Sequence, residues 1–200
     1  MLYSVNMNRL EKQIDFIIEI DGLKKIIRKN YLSDCARLEN SAEHSWYFAI
    51  AAMIMAEHGP PGLDINKVIM MALIHDIVEI DAGDLLVFDE DGKPEQKEKE
   101  NQAAERLFGI LPEDQSVLYR SLWQEFEESI SHEARYAKAL DRFSAFILNY
   151  STDGKAWREH NVTASMIREK ISDMRSMVPM LWEYCSRKLD ELVERKLLSP

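Results

Sequence analysis

The sequence contains few cysteines: only Cys35 and Cys185 occur among its 200 residues, and they stand far apart. Because they form no Cys-x-x-Cys pair, the sequence predicts neither a disulfide framework nor a zinc knuckle. The start of the chain also lacks the charged and then apolar blocks of a signal peptide, and no long uncharged apolar run follows. We therefore expect a cytoplasmic protein with no membrane partner.

Positive charge is scarce as well. The chain has 25 Lys and Arg residues against 35 Asp and Glu residues, which gives a formal net charge of -10. A duplex nucleic acid would require a basic face that neutralises its phosphates, so we expect no such partner. A small phosphorylated ligand remains compatible with this charge, since a few local cations and a metal ion can hold one phosphate.

Helical patterning dominates the chain. Apolar residues recur at helical spacing, and no strand-like alternation extends beyond a few residues. The sequence thus predicts an all-α fold, a single-domain helical bundle over residues 1–200, with a core at about 23–150 and C-terminal helices at 155–195 packed on it. Predicted helices cover about residues 8–27, 42–58, 66–78, 95–108, 113–128 and 131–149, whereas segment 28–41 is predicted to be an extended loop.

The first predicted helix has an apolar stripe that we expect to face the core. Its members recur at helical spacing. They are Leu10, Ile14, Ile17, Ile18 and Leu23.

Polar residues interrupt the apolar run from Met70 to Val78. His75 and Asp76 lie side by side within it. An aspartate taken out of water without a partner costs several kcal/mol, so this pair is expected to be hydrogen-bonded, ion-paired or bound to a metal. Glu79 follows at helical spacing and therefore projects from the same face one turn along, where it adds an acid or a base.

Two more polar residues occur in apolar segments: His44 near the start of the preceding helix and Asp141 within the run 137–143. Together with His75 and Asp76 they form a mixed nitrogen and oxygen donor set. Such a set suits Mn²⁺, Fe²⁺, Co²⁺, Ni²⁺ or Zn²⁺ better than Ca²⁺, so we expect one divalent metal cation. A metal of this kind lowers the pKa of bound water and polarises a phosphoryl oxygen, which makes hydrolysis the chemistry that the set supports.

These residues resemble those of a known family. His44, His75-Asp76 and Asp141 match, in order and approximate spacing, the H…HD…D signature of the HD superfamily of metal-dependent phosphohydrolases. Four runs, 39–45, 73–84, 111–114 and 122–127, are similar to the branch that contains bacterial 5′-deoxynucleotidases and a related human HD-domain protein. The resemblance covers roughly residues 23–149.

The resemblance implies a role for each matching residue. Glu79 and Asp84 correspond to catalytic residues: Glu79 to the group that activates or positions the attacking water, and Asp84 to an aspartate that contacts the sugar and favours a deoxyribose. Asp76 and Asp141 would also adjoin the phosphate. The implied metal ligands are His44, His75, Asp76 and Asp141. The implied activity is release of phosphate from a deoxynucleoside 5′-monophosphate, by a homodimer.

The region upstream of His44 departs from that branch. Its deoxynucleotidases carry an Arg-Trp pair there, whereas this chain has Arg28 and Lys29 followed by Asn30, with Tyr31 near the place of the tryptophan. The candidates for substrate contact in this region are Arg28, Lys29, Tyr31 and Arg37, and any of the three cations is a candidate for balancing the phosphate.

Two alternatives stay open because of this departure. One is an HD phosphohydrolase that acts on another small phosphorylated metabolite. The other is a non-catalytic helical scaffold that binds a metal or a nucleotide. Glu79 favours catalysis, because a purely structural metal site needs its ligands but no additional carboxylate beside them.

Overall fold

The computed structural model describes residues 2–85, 88 and 93–200, and this part of the chain is mostly helical. The all-α prediction is therefore confirmed. None of the described helices is both long and apolar enough to cross a membrane. The helices are α1 Leu2–Glu19, α2 Ser41–Ile54, α3 Ile65–Ile74, α4 Glu79–Ala82, α5 Lys93–Phe108, α6 Glu113–Glu128, α7 His132–Ser151, α8 Lys155–Glu159, α9 Ala164–Lys170, α10 Met174–Met177 and α11 Pro179–Glu194, with 3₁₀ helices at Ile20–Lys25 and Met55–His58.

Segment 28–41 is not the loop that the sequence predicted. It contributes to a two-stranded antiparallel sheet of β1 (Ile27–Tyr31) and β2 (Leu38–Asn40), with Ile27 paired to Asn40 and Tyr31 paired to Leu38. The second strand has only 3 residues, too few for a period-two pattern to be recognised in the sequence. This hairpin places Arg28 and Glu39 next to the start of α2.

The start of α2 is fixed by a capping box. The side chain of Asn40 accepts a hydrogen bond from the backbone N–H of Glu43, and the carboxylate of Glu43 accepts one from the backbone N–H of Asn40. Both bonds satisfy N–H groups that a helix end otherwise leaves unpaired. The helix therefore begins at Ser41, and its first turn buries Ser41 and His44.

The predicted helix over 66–78 is shorter in the structure, because α3 ends at Ile74. The chain continues in a tighter turn, in which the backbone N–H of Glu79 donates to the carbonyl of Asp76 at 2.9 Å. Helix α4 then ends at Gly83, whose φ of 76° is a conformation that favours glycine. That turn directs the chain so that Asp84 lies close to Arg28.

One hydrophobic cluster of buried residues extends from Leu23 to Leu198. Helices α2, α3 and α7 pack against one another at its centre. Tyr136 of α7 is fully buried, and its hydroxyl donates to the carbonyl of Ala52 at 2.9 Å, which ties α7 to α2. The C-terminal helix α11 adds Leu189 to the same cluster. The extent of the single domain, residues 1–200, stays a prediction.

The predicted inner stripe of the first helix is wrong for α1. Leu23, which lies in the following 3₁₀ helix, is buried, but the other four members are 46% to 66% exposed. Helical periodicity identifies an apolar face without showing what covers it. Among its described contacts, α1 is held to the start of α6 by an ion pair between Arg9 and Asp114 and a hydrogen bond between Gln13 and Gln115.

We predict that Tyr136→Phe destabilises the fold by about 1–3 kcal/mol, the cost of leaving a buried acceptor unsatisfied. The lost bond is the one to the carbonyl of Ala52. Urea unfolding followed by circular dichroism measures the change. Tyr150→Phe is the matched control and should cost less, because its partner Glu191 remains accessible to water. Equal stability of Tyr136→Phe and the wild type would contradict the prediction.

Candidate functional site

Three of the four predicted metal ligands converge where α2, α7 and the turn after α3 meet, and the fourth, Asp76, contacts His75. Ligand atoms of His44, His75 and Asp141 lie within 4.8 Å of one another. Nε2 of His44 is 2.8 Å from Oδ1 of Asp141. Nε2 of His75 is 2.9 Å from Oδ1 of Asp76 and 4.0 Å from Oδ1 of Asp141. Residues far apart in sequence therefore form one compact donor cluster.

The orientation of His75 fits a metal ligand. Its Nδ1 lies 3.0 Å from the backbone carbonyl of Ala72, which accepts the hydrogen, so Nε2 carries the lone pair in the neutral ring. That Nε2 is buried and faces the carboxylates, and it has no hydrogen-bond partner among the residues that the structure describes. An imidazole held in this way by its other nitrogen is typical of metal sites. The donor set of two imidazoles and two carboxylates thus fits a divalent metal cation.

Arg28 lies at the centre of the site. Its Nη1 donates to Oδ2 of Asp76 at 2.8 Å and is 3.9 Å from Oε1 of Glu79 and 3.8 Å from Oδ1 of Asp84. Burial lowers the pKa of Arg28, but the surrounding carboxylates, Asp76 first, outweigh it and raise that pKa above its usual value. Arg28 is therefore a permanent buried cation surrounded by acids.

Two of the carboxylates are held in the ionised form. Burial opposes ionisation of Asp76, but the charges of His75 and Arg28 outweigh it and lower the pKa of Asp76. Burial likewise opposes ionisation of Asp141, and a hydrogen bond from His44 is the largest of the effects that lower its pKa. Both groups are therefore suited to binding a cation.

The pKa values of Glu79 and Asp84 are shifted in the opposite direction. Burial, followed by the charge of Asp76, raises the pKa of Glu79 well above its usual value. Burial also raises the pKa of Asp84, although Arg28 opposes this. The hydroxyl of Ser41 donates to Oε2 of Glu79 at 2.6 Å, which fixes one oxygen and leaves Oε1 toward Arg28. A carboxyl group with a raised pKa beside ionised ones is suited to proton transfer.

The other predicted contacts are not all brought to the site. Lys29 lines the adjoining pocket. The hydroxyl of Tyr31 instead donates to Glu159 at 3.0 Å, and Arg37 is exposed and paired with Glu43. Neither Tyr31 nor Arg37 is among the residues that line the pocket in the described part of the chain. The structure therefore does not support substrate contact by these two residues.

Sequence reasoning assigned no role to several polar residues that adjoin the site. Glu39 is buried, and its Oε1 accepts a hydrogen bond from Nδ2 of Asn30 at 3.2 Å. Nδ2 of Asn149 in turn donates to Oδ1 of Asn30 at 2.8 Å. The hydroxyl of Ser41 donates a hydrogen bond to Glu79. Glu39 and Ser41 belong to the same run as His44, but an acid in a predicted loop is usually solvated, so the sequence alone did not identify Glu39.

A pocket of about 850 Å³, including its open mouth, adjoins the metal ligands. Arg28, Asp84 and Asp141 line it together with residues from α7 to α9 and the segments beside them. The further residues from these helices and segments are Arg142, Ala145, Phe146, Asn149, Ala156, Trp157, His160, Val162, Ile167, Lys170 and Ile171.

Several known proteins are similar to this chain. A crystal structure from Magnetospirillum magnetotacticum, described as a predicted metal-dependent phosphohydrolase, has a TM-score of 0.92 and 42% identity and covers 96% of this chain and 97% of its own. Human 5′-deoxynucleotidase HDDC2 is 28% identical over 130 residues, which is 64% of this chain and 62% of the human protein. The Xenopus laevis protein of the same name is 28% identical over 64% of this chain and 63% of its own. The matched part thus spans less than two thirds of these curated relatives.

A more distant structure shows the fold alone. A Pyrococcus horikoshii protein has a TM-score of 0.65 at 18% identity and covers 88% of this chain and 99% of its own. The family model described as HD domain matches residues 20–182, which is most of the chain and includes every predicted metal ligand. The chain therefore belongs to the HD domain family, and the resemblance seen in the sequence is confirmed.

Proposed function

We propose that this chain is a divalent-metal-dependent phosphomonoester hydrolase that releases phosphate from deoxynucleoside 5′-monophosphates. The observation that carries the proposal is the convergence of the His and Asp donor cluster with a buried cation, Arg28, and a proton-accepting carboxylate, Glu79. Membership in the HD domain family and the similarity to proteins named 5′-deoxynucleotidase support it.

The residues that would hold the metal are His44, His75, Asp76 and Asp141. When bound, the cation would supply a water of lowered pKa and a positive charge against the phosphoryl oxygens. The lowered pKa values of Asp76 and Asp141 keep these two carboxylates in the ionised form that ligation needs. Nε2 of His75 carries the lone pair whenever the ring is neutral, because Nδ1 donates to Ala72. The identity of the metal stays open among Mn, Co, Fe, Ni and Zn.

Arg28 is the cation that faces the phosphate. It lines the pocket and touches Asp76 in the cluster, so its guanidinium lies between the metal ligands and the bound substrate. Charge-assisted hydrogen bonds from a guanidinium suit phosphate oxygens, which present two acceptors in its plane. Lys29 lines the same pocket and adds a second positive charge.

Glu79 is the base in the proposed reaction. Its Oε2 is engaged by Ser41, so Oε1 accepts a proton from the attacking water while the water oxygen bonds to phosphorus. The bond from phosphorus to the 5′-oxygen breaks, that oxygen takes up a proton from solvent, and Glu79 releases its proton to solvent, so phosphate and a nucleoside leave. Asp84, which lines the pocket close to Arg28, is placed to contact the sugar.

The leaving nucleoside would occupy the side of the pocket formed by α7 to α9. That side presents Phe146 and Trp157 together with the aliphatic groups of Ala145 and Ile167. Ligand pockets combine such apolar walls with a few polar groups that orient the ligand. Asn30, also on the pocket lining, is one such polar group. These contacts favour a nucleoside over a small uncharged alcohol as the leaving group.

We also propose that the protein is a homodimer joined through the outer face of α2 and α3. Four residues of α2, spaced at i, i+4, i+7 and i+8, are 39% to 63% exposed, and two of α3 lie beside them on the packed helix pair. They are Trp46, Ile50, Met53, Ile54, Met70 and Leu73. Monomers rarely expose apolar patches of this kind.

The absence of charge on this face favours a second copy as the partner. Between His44 and Ile54, α2 contains no Asp, Glu, Lys or Arg, and the charged residue in α3, Lys67, is paired with Glu125. Two copies of a chain with a net charge of -10 therefore meet here without like-charge repulsion. A cytoplasmic location stays a prediction.

Removing the proposed base, Glu79, should abolish turnover and leave metal binding intact. Glu79→Gln should lower kcat by about 10²–10⁴-fold, the contribution of general base catalysis, while Mn²⁺ affinity changes little. Asp76→Asn should lose both turnover and Mn²⁺ binding, because it removes a metal ligand. Deoxynucleoside and ribonucleoside 5′-monophosphates, together with other phosphomonoesters, are assayed with Mn²⁺, Co²⁺, Zn²⁺ and Mg²⁺, and metal binding is measured by calorimetry.

The control for this experiment is Glu57→Gln, which makes the same chemical change at an exposed position outside the site. It should keep wild-type activity. If the wild type hydrolyses no phosphomonoester with any of these metals, the enzyme proposal fails and the non-catalytic scaffold replaces it. If other phosphomonoesters are hydrolysed and nucleotides are not, the substrate assignment fails.

Filling the pocket should weaken nucleotide binding alone. Ala145 lies one helical turn after Asp141, so Ala145→Leu occupies leaving-group space without adding charge. We expect KM for a deoxynucleoside monophosphate to rise by about tenfold or more, the scale of added methylenes in a pocket. The inhibition constant of inorganic phosphate should stay within about twofold. Ala36→Leu, at an exposed position away from the pocket, is the matched control; equal KM values in all three proteins would contradict the pocket assignment.

Placing a charge on the outer face of α2 should break the dimer. Light scattering coupled to gel filtration should give twice the chain mass of 23.3 kDa for the wild type and the chain mass for Ile54→Glu, because a buried unpaired charge opposes association. Ile130→Glu introduces the same charge at another exposed apolar residue and should remain dimeric. A wild type of single-chain mass would contradict the homodimer.

A further inference from the structure

Glu39 is a buried acid for which the proposed reaction has no use. Its side chain is 2% exposed, and it lies in β2 just before α2. Its Oε1 is 3.2 Å from Nδ2 of Asn30, 3.5 Å from Nε of Arg28 and 3.9 Å from Nδ1 of His44. One carboxylate oxygen therefore faces both a proposed metal ligand and the proposed phosphate-binding cation.

His44 and Arg28 each have a nitrogen outside the metal cluster that faces Glu39. Nε2 of His44 lies against Asp141, and Nη1 of Arg28 lies against Asp76, so Nδ1 and Nε point away from the metal cluster. Nδ1 of His44 and Nε of Arg28 are buried and have no hydrogen-bond partner in the described part of the chain. Buried donors normally find an acceptor, and the Glu39 carboxylate is within ion-pair distance of both.

The carboxylate itself is held in place by an amide chain. Asn30 donates to Glu39, and Asn149 of α7 donates to Oδ1 of Asn30 at 2.8 Å. Nδ2 of Asn149 also donates to the carbonyl of Ala145 within its own helix. Glu39 is thus connected to β1, α2 and α7, the elements that contribute Arg28, His44 and Asp141. A rigidly held acceptor of this kind orients the groups that it faces.

We infer that Glu39 is a positioning residue that aligns the metal-binding imidazole of His44 and the phosphate-binding guanidinium of Arg28 through one carboxylate. Binding of metal and binding of phosphate then reinforce each other, because each ligand fixes the carboxylate that the other requires. The inference rests on the proposed function, since it takes His44 as a metal ligand and Arg28 as the phosphate contact.

The test measures binding without turnover. Calorimetry gives the Mn²⁺ affinity with and without saturating inorganic phosphate, for the wild type and Glu39→Gln. We expect phosphate to increase the Mn²⁺ affinity of the wild type. By linkage, Mn²⁺ must increase the phosphate affinity by the same factor. In Glu39→Gln the Mn²⁺ affinity should fall by about 10–100-fold, as for other residues behind metal ligands, and the coupling factor should fall to the smaller value that direct attraction between Mn²⁺ and phosphate supplies.

Two further variants keep the test decisive. Glu39→Asp retains the buried charge but is one methylene too short to serve both groups, so it should also lower the coupling factor even if Glu39→Gln does not fold. Glu57→Gln, the same acid-to-amide change at an exposed position outside the site, should bind as the wild type does.

The outcomes separate this inference from the proposed function. One outcome is that Glu39→Gln and Glu39→Asp keep both the Mn²⁺ affinity and the coupling factor within about twofold of the wild type. That result, even with a lower melting temperature, would show a purely structural role for Glu39 and overturn the inference. Phosphate without effect on wild-type Mn²⁺ binding would also overturn it. Intact coupling in a wild type that hydrolyses no phosphomonoester would contradict the proposed function and support the inference.

Discussion

The ion pair between Arg28 and Asp76 is the interaction on which the rest of the site depends. Charged groups taken out of water are costly, and here several carboxylates are buried within a short distance of one another. The guanidinium compensates that charge from within the cluster and stays positive because the acids raise its pKa. Without a cation at this place, the chain segments that carry the acids would repel one another when they pack.

The fold supplies the geometry with short, well-defined turns around a rigid helical core. The capping box at Asn40 fixes where α2 begins and hence the position of His44. The tight turn after Ile74 and the positive φ of Gly83 arrange the following acids on both sides of Arg28. Because these constraints are backbone hydrogen bonds and local sterics, they hold the acids close together with little freedom to relax.

The contrast between carboxylates links this geometry to chemistry. Asp76 and Glu79 are buried, and Asp84 and Asp141 are partly buried, yet Asp76 and Asp141 have lowered pKa values whereas Glu79 and Asp84 have raised ones. The difference arises from the neighbours: histidine and arginine charges or hydrogen bonds dominate for the first pair, and burial dominates for the second. One cluster therefore contains both cation-binding groups and a group suited to proton transfer.

The sequence by itself determined the helical class, and it predicted the donor set because polar residues such as His75 and Asp76 interrupt apolar helical runs that would otherwise be wholly buried. Only the tertiary structure decided which upstream arginine lies at the site, since Arg28 and Arg37 are the same residue type and differ in the groups that fold around them. It also revealed the short hairpin and the role open to Glu39, and it showed that the apolar face of α1 is exposed. Periodicity reports local amphipathic character, whereas burial and charge pairing depend on contacts between residues far apart in the chain.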